Sequence, residues 1–401
     1  MGQTMAQLAP ILKEVYEGTL NDQLNGETRA YTRLNSTAKG VADKPMGGKY
    51  VNFAIHTGRN SGIGARNEME ALPNAGQQKT AEATLNLRYQ YGAIELSGQT
   101  FELATKSYQT FADAVDLEME RIKDDLSKDR NRQYFGNGNG KVATVVSFVG
   151  QTITFDTIQH IQDDEVLDIV VAANGTAHAS AIVVSSVNEA TKVVTFTGTL
   201  GAIVAGDIAV RKGSWNREWT GLDAIISDTS TLYGVDPAAT RVWKSHVTAL
   251  NGNLTEAVWK RMADKIARAG GKTTVMWTTD GVERSYWQLL AAQRNFVNPK
   301  EYAGGYTGLE FNAGSAGAIP ILTDWDAPAG KAYFVNEKAM NLYRPHGFKF
   351  MDRNGSMWTQ KSDASGTYDA YTARLYEYSE LGTHRRNTHG VVTGITEDPA
   401  S

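Results

Sequence analysis

The stretch SYQTFADAVDLEMERIKDDLSKDRNRQYF, residues 107–135, governs how the rest of the chain is read. Its apolar residues Tyr108, Phe111, Val115, Met119, Ile122, Leu126 and Tyr134 are mostly three or four positions apart. That spacing lines one face of an α-helix. Asp113, Asp116, Glu118 and Glu120 precede Arg121, Lys123, Lys128, Arg130 and Arg132. Acid before base suits the helix dipole. One helix over this stretch would be about 43 Å long. Such a length, between two β-rich regions, fits an extended subunit better than a compact enzyme. The helix carboxylates, including the Glu120–Asp124 and Asp125–Asp129 spacings, read as a solvated face balanced by neighbouring cations, with no catalytic role.

Upstream, YVNFAIH (50–56) and TLNLRYQY (84–91) alternate apolar and polar residues, as strands do. Leu85, Leu87, Tyr89 and Tyr91 share one parity, and Ile94 and Leu96 the other. A β-bulge at Gly92 would produce that switch. The intervening TGRNSGIGARNEMEALPNAGQQKTAE (57–82) is a long charged tip, and a two-stranded ribbon is marginal alone. Further upstream, Met5, Leu8, Leu12, Val15 and Tyr16 mark a short amphipathic helix over 4–17, then a polar arm.

Downstream, GNGNG (136–140) breaks the helix. In residues 141–213, 30 of 73 are Val, Ile or Thr, with no Trp or Tyr and two Leu. Short alternating runs between turns predict a small all-β unit, a barrel or sandwich. A helix over 254–269 follows, ended by Gly270-Gly271. TTVMW (273–277) reads as a buried strand and Asp280 as the cap of the next helix. IPILTDW (319–325) is a strand. AYFVNEKAMNLYR (332–344) reads as a hairpin turning at Asn336-Glu337-Lys338, and YDAYTARLYEYSE (368–380) as a final strand. The fold class is α+β.

The chain has 401 residues, 41% hydrophobic and 21% charged, which is ordinary for globular domains. A formal charge of −4 gives no overall basic field for nucleic acid. No apolar run approaches a membrane span, and the N-terminus lacks a secretory pattern. The absence of cysteine excludes disulfides and thiolate chemistry. GNGNGKV (136–142) is one residue short of a P-loop, follows a helix, and has Val142 where a hydroxyl is needed. AGSAG (313–317) misses the nucleophile-elbow pattern at Ala313. His384 and His389 are five apart with no third ligand, so THRRNTH (383–389) reads as a polar turn whose Arg385-Arg386 offers weak phosphate contact. No catalytic, metal or cofactor-binding residue is assigned.

YVNFAIH with TLNLRYQYGAIEL, SYQTFADAVDLEMERIKDDL, GGKTTVMWTTDGVERSYWQLL, ARLYEYSELGTHRRNTHGVVTGI, and WTGLDAIISDTSTLYGVD after the β-rich unit together resemble the major capsid proteins of tailed bacteriophages. The resemblance covers nearly the whole chain and implies the Hong Kong ninety-seven-like fold with an inserted β-domain. It divides the chain into an N-terminal arm (1–47), an extended hairpin loop (48–100), a peripheral domain with the spine helix (101–140), an all-β insertion (141–216), an axial domain with adjoining strands (217–345), and a peripheral return with C-terminal tail (346–401). It implies a non-enzymatic subunit that assembles in the host cytoplasm, through pentamers and hexamers, into an icosahedral virion shell around double-stranded DNA. Expected partners are further copies, a separate scaffolding protein (the arm begins almost at Met1), a portal, a decoration protein, and DNA contacted non-specifically, with no membrane. Arg59, Arg66, Glu68, Glu70 and Lys79 in the hairpin tip are the candidate inter-subunit contacts. Lys79 and Asn387 have the chemistry of an inter-subunit crosslink, but no motif marks them. The competing readings are a hydrolase carrying a carbohydrate-binding-like β-domain, an adhesion or tail protein, and an encapsulin-like compartment.

Overall fold

A computed structural model describes residues 27–36, 41–45, 50–99, 112–293, 300–301, 307–308, 310–312, 317–352, 355–363 and 366–398. The expected helix at 4–17, the residues Tyr108 and Phe111, and most of AGSAG lie outside the described residues. The chain enters through helix α1 (Arg29–Asn35) and strand β1 (Ala42–Lys44), then β2 (Tyr50–Gly58), β3 (Lys79–Asn86) and β4 (Arg88–Ser97). The spine helix α2 (Ala112–Phe135) leads to β5 (Lys141–Val149), β6 (Thr152–Phe155), β7 (Val166–Val170), β8 (Ala177–Asn188), β9 (Val193–Thr197) and β10 (Ile208–Arg211). One helical turn, α3 (Leu222–Ile225), precedes β11 (His246–Gly252), α4 (Glu256–Arg268), β12 (Val275–Thr278) and α5 (Asp280–Gln293). Then come β13 (Lys300–Glu301), β14 (Thr307–Gly308), β15 (Glu310–Asn312), β16 (Ala318–Thr323), β17 (Ala332–Val335), β18 (Met340–Tyr343), β19 (Lys349–Phe350), β20 (Thr359–Asp363), β21 (Gly366–Thr383) and β22 (Gly390–Ile395).

The peripheral layer is organised around β21, 18 residues long. Residues 340–363 run back along it antiparallel as β18, β19 and β20, and β4 pairs with its residues 370–379. The spine helix lies across β4. A Cβ on Gly92 would sit 2.9 Å from Leu126 Cδ1 and 3.0 Å from Ile122 Cγ1, so only glycine admits the apolar stripe this close. The expected bulge at Gly92 is absent: β4 keeps one register with β21 from Arg88 to Ser97. The parity changes at Leu87, between β3 and β4, where the chain leaves the hairpin for the peripheral sheet. Tyr89 and Tyr91 therefore face outward and meet Tyr378 edge-on. The segment 48–100, expected to be hairpin throughout, pairs as a hairpin only over Tyr50–Asn86.

The second layer is a mixed sheet in the order β11-β22-β17-β12-β16-β15. All four residues of β12 are buried, as the apolar run TTVMW required. Helices α4 and α5 bring Trp259, Met262, Ile266, Val282 and Tyr286 into a core with Phe311, Ile321 and Phe334. Each large side chain contributes about 1.5–3 kcal/mol by leaving water. Thr279, not Asp280, caps α5, its hydroxyl accepting from the Val282 N–H at 3.3 Å. Residues 332–344 are not a hairpin. β17 pairs with β12 and β22, whereas β18 pairs with β1 and β21. The turn at Glu337–Ala339 carries the chain between sheets, anchored by the Arg33–Glu337 pair at 2.6 Å. The expected peripheral return at 346–401 likewise divides, because β22 closes the second sheet between β11 and β17.

The β-branched segment forms a closed six-stranded barrel, β10-β5-β6-β9-β8-β7. Ile153, Phe155, Leu167, Ile169, Ile182, Val184, Val194 and Phe196 fill it, as alternating β-branched runs on a closed sheet dictate. Gly138 and Gly140 in the entry turn have φ of 86° and 84°, a conformation only glycine adopts easily.

Candidate functional site

The hairpin holds the residues the sequence singles out. Its base is seated on the body: Ile55 and Ala83 join the central core, Phe53 packs edge-on against Tyr233, and the Thr84 N–H donates to the Tyr233 carbonyl at 3.0 Å. The ribbon, expected to be marginal alone, is thus supported at its base, and only the tip, residues 59–78, has no buried residue. There Arg59, Arg66, Glu68 and Glu70 are exposed, as is Lys79 at the start of β3. Two of the five shape the tip itself. Arg66 donates to the Ala65 and Ala71 carbonyls at 2.8 and 2.9 Å. Glu70 accepts from the Asn67 backbone and side chain at 3.0 and 2.9 Å, which holds its carboxyl below the usual range. Arg59, Glu68 and Lys79 make no ion pair among the described residues. Asn387 is half-buried in the turn Arg386–Thr388. The sequence reading missed Ile63, Met69 and Leu72, which are 86%, 101% and 82% exposed at the same tip. Three large apolar side chains in a charged loop were the available signal.

The charged groups in the last turns of the spine helix lie elsewhere, and they are not solvated, whereas Glu118, Glu120, Asp124 and Asp125 are exposed. Its last turns, Asp129 to Phe135, are buried throughout. Arg132 reaches Asp129 at 2.9 Å and Glu218 at 2.5 Å. Arg211 of β10 bonds Asp129 at 2.8 Å and Glu165 at 3.0 Å, pinning the barrel to the helix. Burial pushes the Asp129 carboxyl up, but the Arg132 and Arg211 guanidiniums outweigh it and hold it well below its usual range. Glu218, buried with a single close guanidinium and near Asp129, is raised. Arg130 pairs with Glu377 at 3.0 Å and lies 4.2 Å over the Trp219 ring. Asn131 accepts from the Tyr31 N–H at 2.9 Å and donates to Asp324 at 2.9 Å and Asp326 at 2.6 Å. The solvated-face reading is thus corrected for Asp129. The available signal was the choice of Arg and Asp in KDRNRQ, since Arg suits buried, multiply bonded pairs better than Lys.

Two further buried carboxyls are perturbed. Burial pushes Glu380 up to about 7 against the opposing Arg88, 3.3 Å away. Burial pushes Asp324 up to about 6. In THRRNTH the polar-turn reading covers only part of the segment. Arg386 is fully buried and donates to the Ile225, Ser230 and Ala224 carbonyls at 2.8, 2.8 and 3.1 Å, so it offers no phosphate contact. His389 is buried between Thr383 and the Asn336 N–H, and burial lowers it to about 3. Among the described residues no group of three His, Asp or Glu is placed to hold a metal ion, and no helix is long and apolar enough to cross a membrane.

These carboxylates are bonded to guanidiniums, amides and backbone N–H groups that tie α1, the spine helix, the barrel and both sheets together. Such contacts make a joint between layers.

No family model and no curated protein matches the chain. Solved structures do. The capsid asymmetric unit of cyanophage A-1(L) superposes with a TM-score of 0.62 at 16% identity, covering 98% of this chain and 100% of that one. The capsid of the empty GTA particle gives 0.53 at 10% identity, covering 98% of each. The holo-SrpI encapsulin complex from Synechococcus elongatus PCC 7942 gives 0.49 at 6% identity, over 98% of this chain and 96% of that one, too low to carry an argument. With a long helix across a peripheral sheet, a second helix-backed sheet and a projecting hairpin, the chain has the Hong Kong ninety-seven-like fold of capsid subunits.

Proposed function

We propose that the chain is a major capsid protein. It assembles through pentamers and hexamers into an icosahedral virion shell around double-stranded DNA. The observation that carries the reading is the hairpin tip. A subunit with this fold presents Ile63, Met69 and Leu72 to solvent on a rigidly based ribbon, and apolar groups in that position gain free energy when a neighbouring copy covers them. In this reading Arg59, Glu68 and Lys79 supply the polar rim of the contact. The barrel is the inserted domain and faces outward. A scaffolding protein, a portal and a decoration protein complete the particle.

The test is negative-stain microscopy of the full-length protein expressed with its cognate scaffold, beside an Ile63→Ser/Met69→Ser/Leu72→Ser variant. Uniform closed shells from the parent, and soluble folded subunits without shells from the variant, are expected. Normal shells from the variant would remove the tip from the assembly contact. Nuclease-resistant DNA inside particles from an infected host distinguishes a virion from a protein-storing compartment.

A further inference from the structure

A recess of about 670 Å³ opens where the chain crosses between the two sheets, beside the C-terminal end of α4. Its lining includes Lys272, Lys338, Arg385, His384 and Asn336 and, among the described residues, no carboxylate. We propose that this recess is a binding site for phosphate oxyanions. The inference does not rest on the shell reading.

The cations come from three segments distant in sequence, of which the sequence alone marked only Arg385. Lys272 follows α4, Lys338 sits in the turn between β17 and β18, and Arg385 follows β21. None of the three forms an ion pair among the described residues, unlike the arginines of the spine-helix joint. Arg385 uses Nη2 on the Gly270 carbonyl at 3.1 Å, which fixes the guanidinium while leaving other donors available. Asn336 is buried, its backbone N–H is taken by His389, and its side-chain amide has no hydrogen-bond partner among the described residues. The two lysines and Arg385 are exposed and solvated, so they can meet an incoming anion, and the Thr273 hydroxyl in the same lining is buried with no hydrogen-bond partner among the described residues. The acid nearest in sequence, Glu337, is committed to Arg33 and Thr274 and does not line the recess. Of the three cations only Arg385 acts on His384: burial first, then Lys44 outside the recess and Arg385 within it, hold the imidazole below its ordinary value. A single carboxylate has one charge and two oxygens. Three cations and an amide donor match the higher charge and larger oxygen count of phosphate groups, and arginine bonds phosphate in bidentate fashion. The phosphate could belong to a free oligophosphate or to a nucleic-acid backbone.

The test is calorimetric titration of the full-length protein with inorganic pyrophosphate at physiological salt, with His384 followed by NMR. Saturable binding that raises the His384 pKa is expected. Each charge-assisted bond removed should weaken binding about tenfold, so Lys272→Gln/Lys338→Gln should lose most of the affinity. Both lysines are exposed, and an unchanged melting temperature verifies the variant's fold. Lys123→Gln, on the spine helix, is the control for non-specific charge. The proposal is overturned by absence of saturable binding, by equal loss in both variants, or by an aspartate-rich peptide that displaces pyrophosphate as well as phosphate compounds do. Displacement of pyrophosphate by duplex DNA assigns the site to a nucleic-acid backbone. Binding of pyrophosphate without such displacement assigns it to free oxyanions.

Discussion

Arg130→Met tests the joint beneath the spine helix. Arg130 and Glu377 are 1% and 0% exposed and bonded at 3.0 Å. Removing the guanidinium also removes its bond to Gln133 at 2.8 Å and its stacking over Trp219. Glu377 then keeps only Arg344, at 3.5 Å, against its charge. Breaking a buried pair by deleting one partner costs about 3–5 kcal/mol, because the other charge is left uncompensated. The surviving Arg344 places this case near the lower end, at about 3 kcal/mol. Removing both charges is different. Arg130 Nη2 already lacks a partner, so the native pair is itself incompletely satisfied. Arg130→Met/Glu377→Gln should therefore recover most of the loss, to within about 1 kcal/mol of the parent. The assay is guanidinium-chloride unfolding of unassembled subunits, followed by tryptophan fluorescence because Trp219 reports directly on the site. A single-variant cost below about 1 kcal/mol, or a double variant as unstable as the single, would refute the claim that the pair is a desolvated joint.

Three further outcomes are expected. Gly92→Val should lower subunit stability by about 1–3 kcal/mol by driving Leu126 and Ile122 off β4, whereas Gly252→Ala should cost less because its φ is not positive and a Cβ there meets nothing closer than 4.0 Å; thermal melts compare them. Glu380 has a folded pKa near 7, above its ordinary 4.5, so the native state holds the proton more tightly and stability falls as pH rises through that window, by about 3 kcal/mol in all. Asp324 acts with the same sign at lower pH, so Glu380→Gln should flatten the upper part of the stability–pH curve measured by denaturant titration, and an unchanged curve would count against the assignment. Val210 pairs with Lys141, so the two ends of the barrel are adjacent, and replacing residues 141–211 with a short linker should leave the circular dichroism and melting of the remaining layers recognisable. Loss of the whole fold would show that the barrel is integral to it.

Local periodicity determined much of this protein. The spine stripe Ile122–Leu126, the buried run of β12, the β-branched barrel strands and the glycine break at 136–140 could all be read from residues within one helix or strand, because side-chain direction repeats every 3.6 or 2 positions. The tertiary structure decided what lies opposite each face. Arg130 and Glu377 are 247 positions apart, and no periodicity distinguishes a charge that meets a buried partner from one that meets water. Gly92 read as a bulge because its real cause, the helix crossing above it, is not local. The supposed hairpin at 332–344 failed for the same reason. Alternation identifies a strand but not its partner, and Glu337, held by Arg33 from the other end of the chain, sends β18 to a different sheet. The basic recess exists only because three segments converge where the chain changes layers.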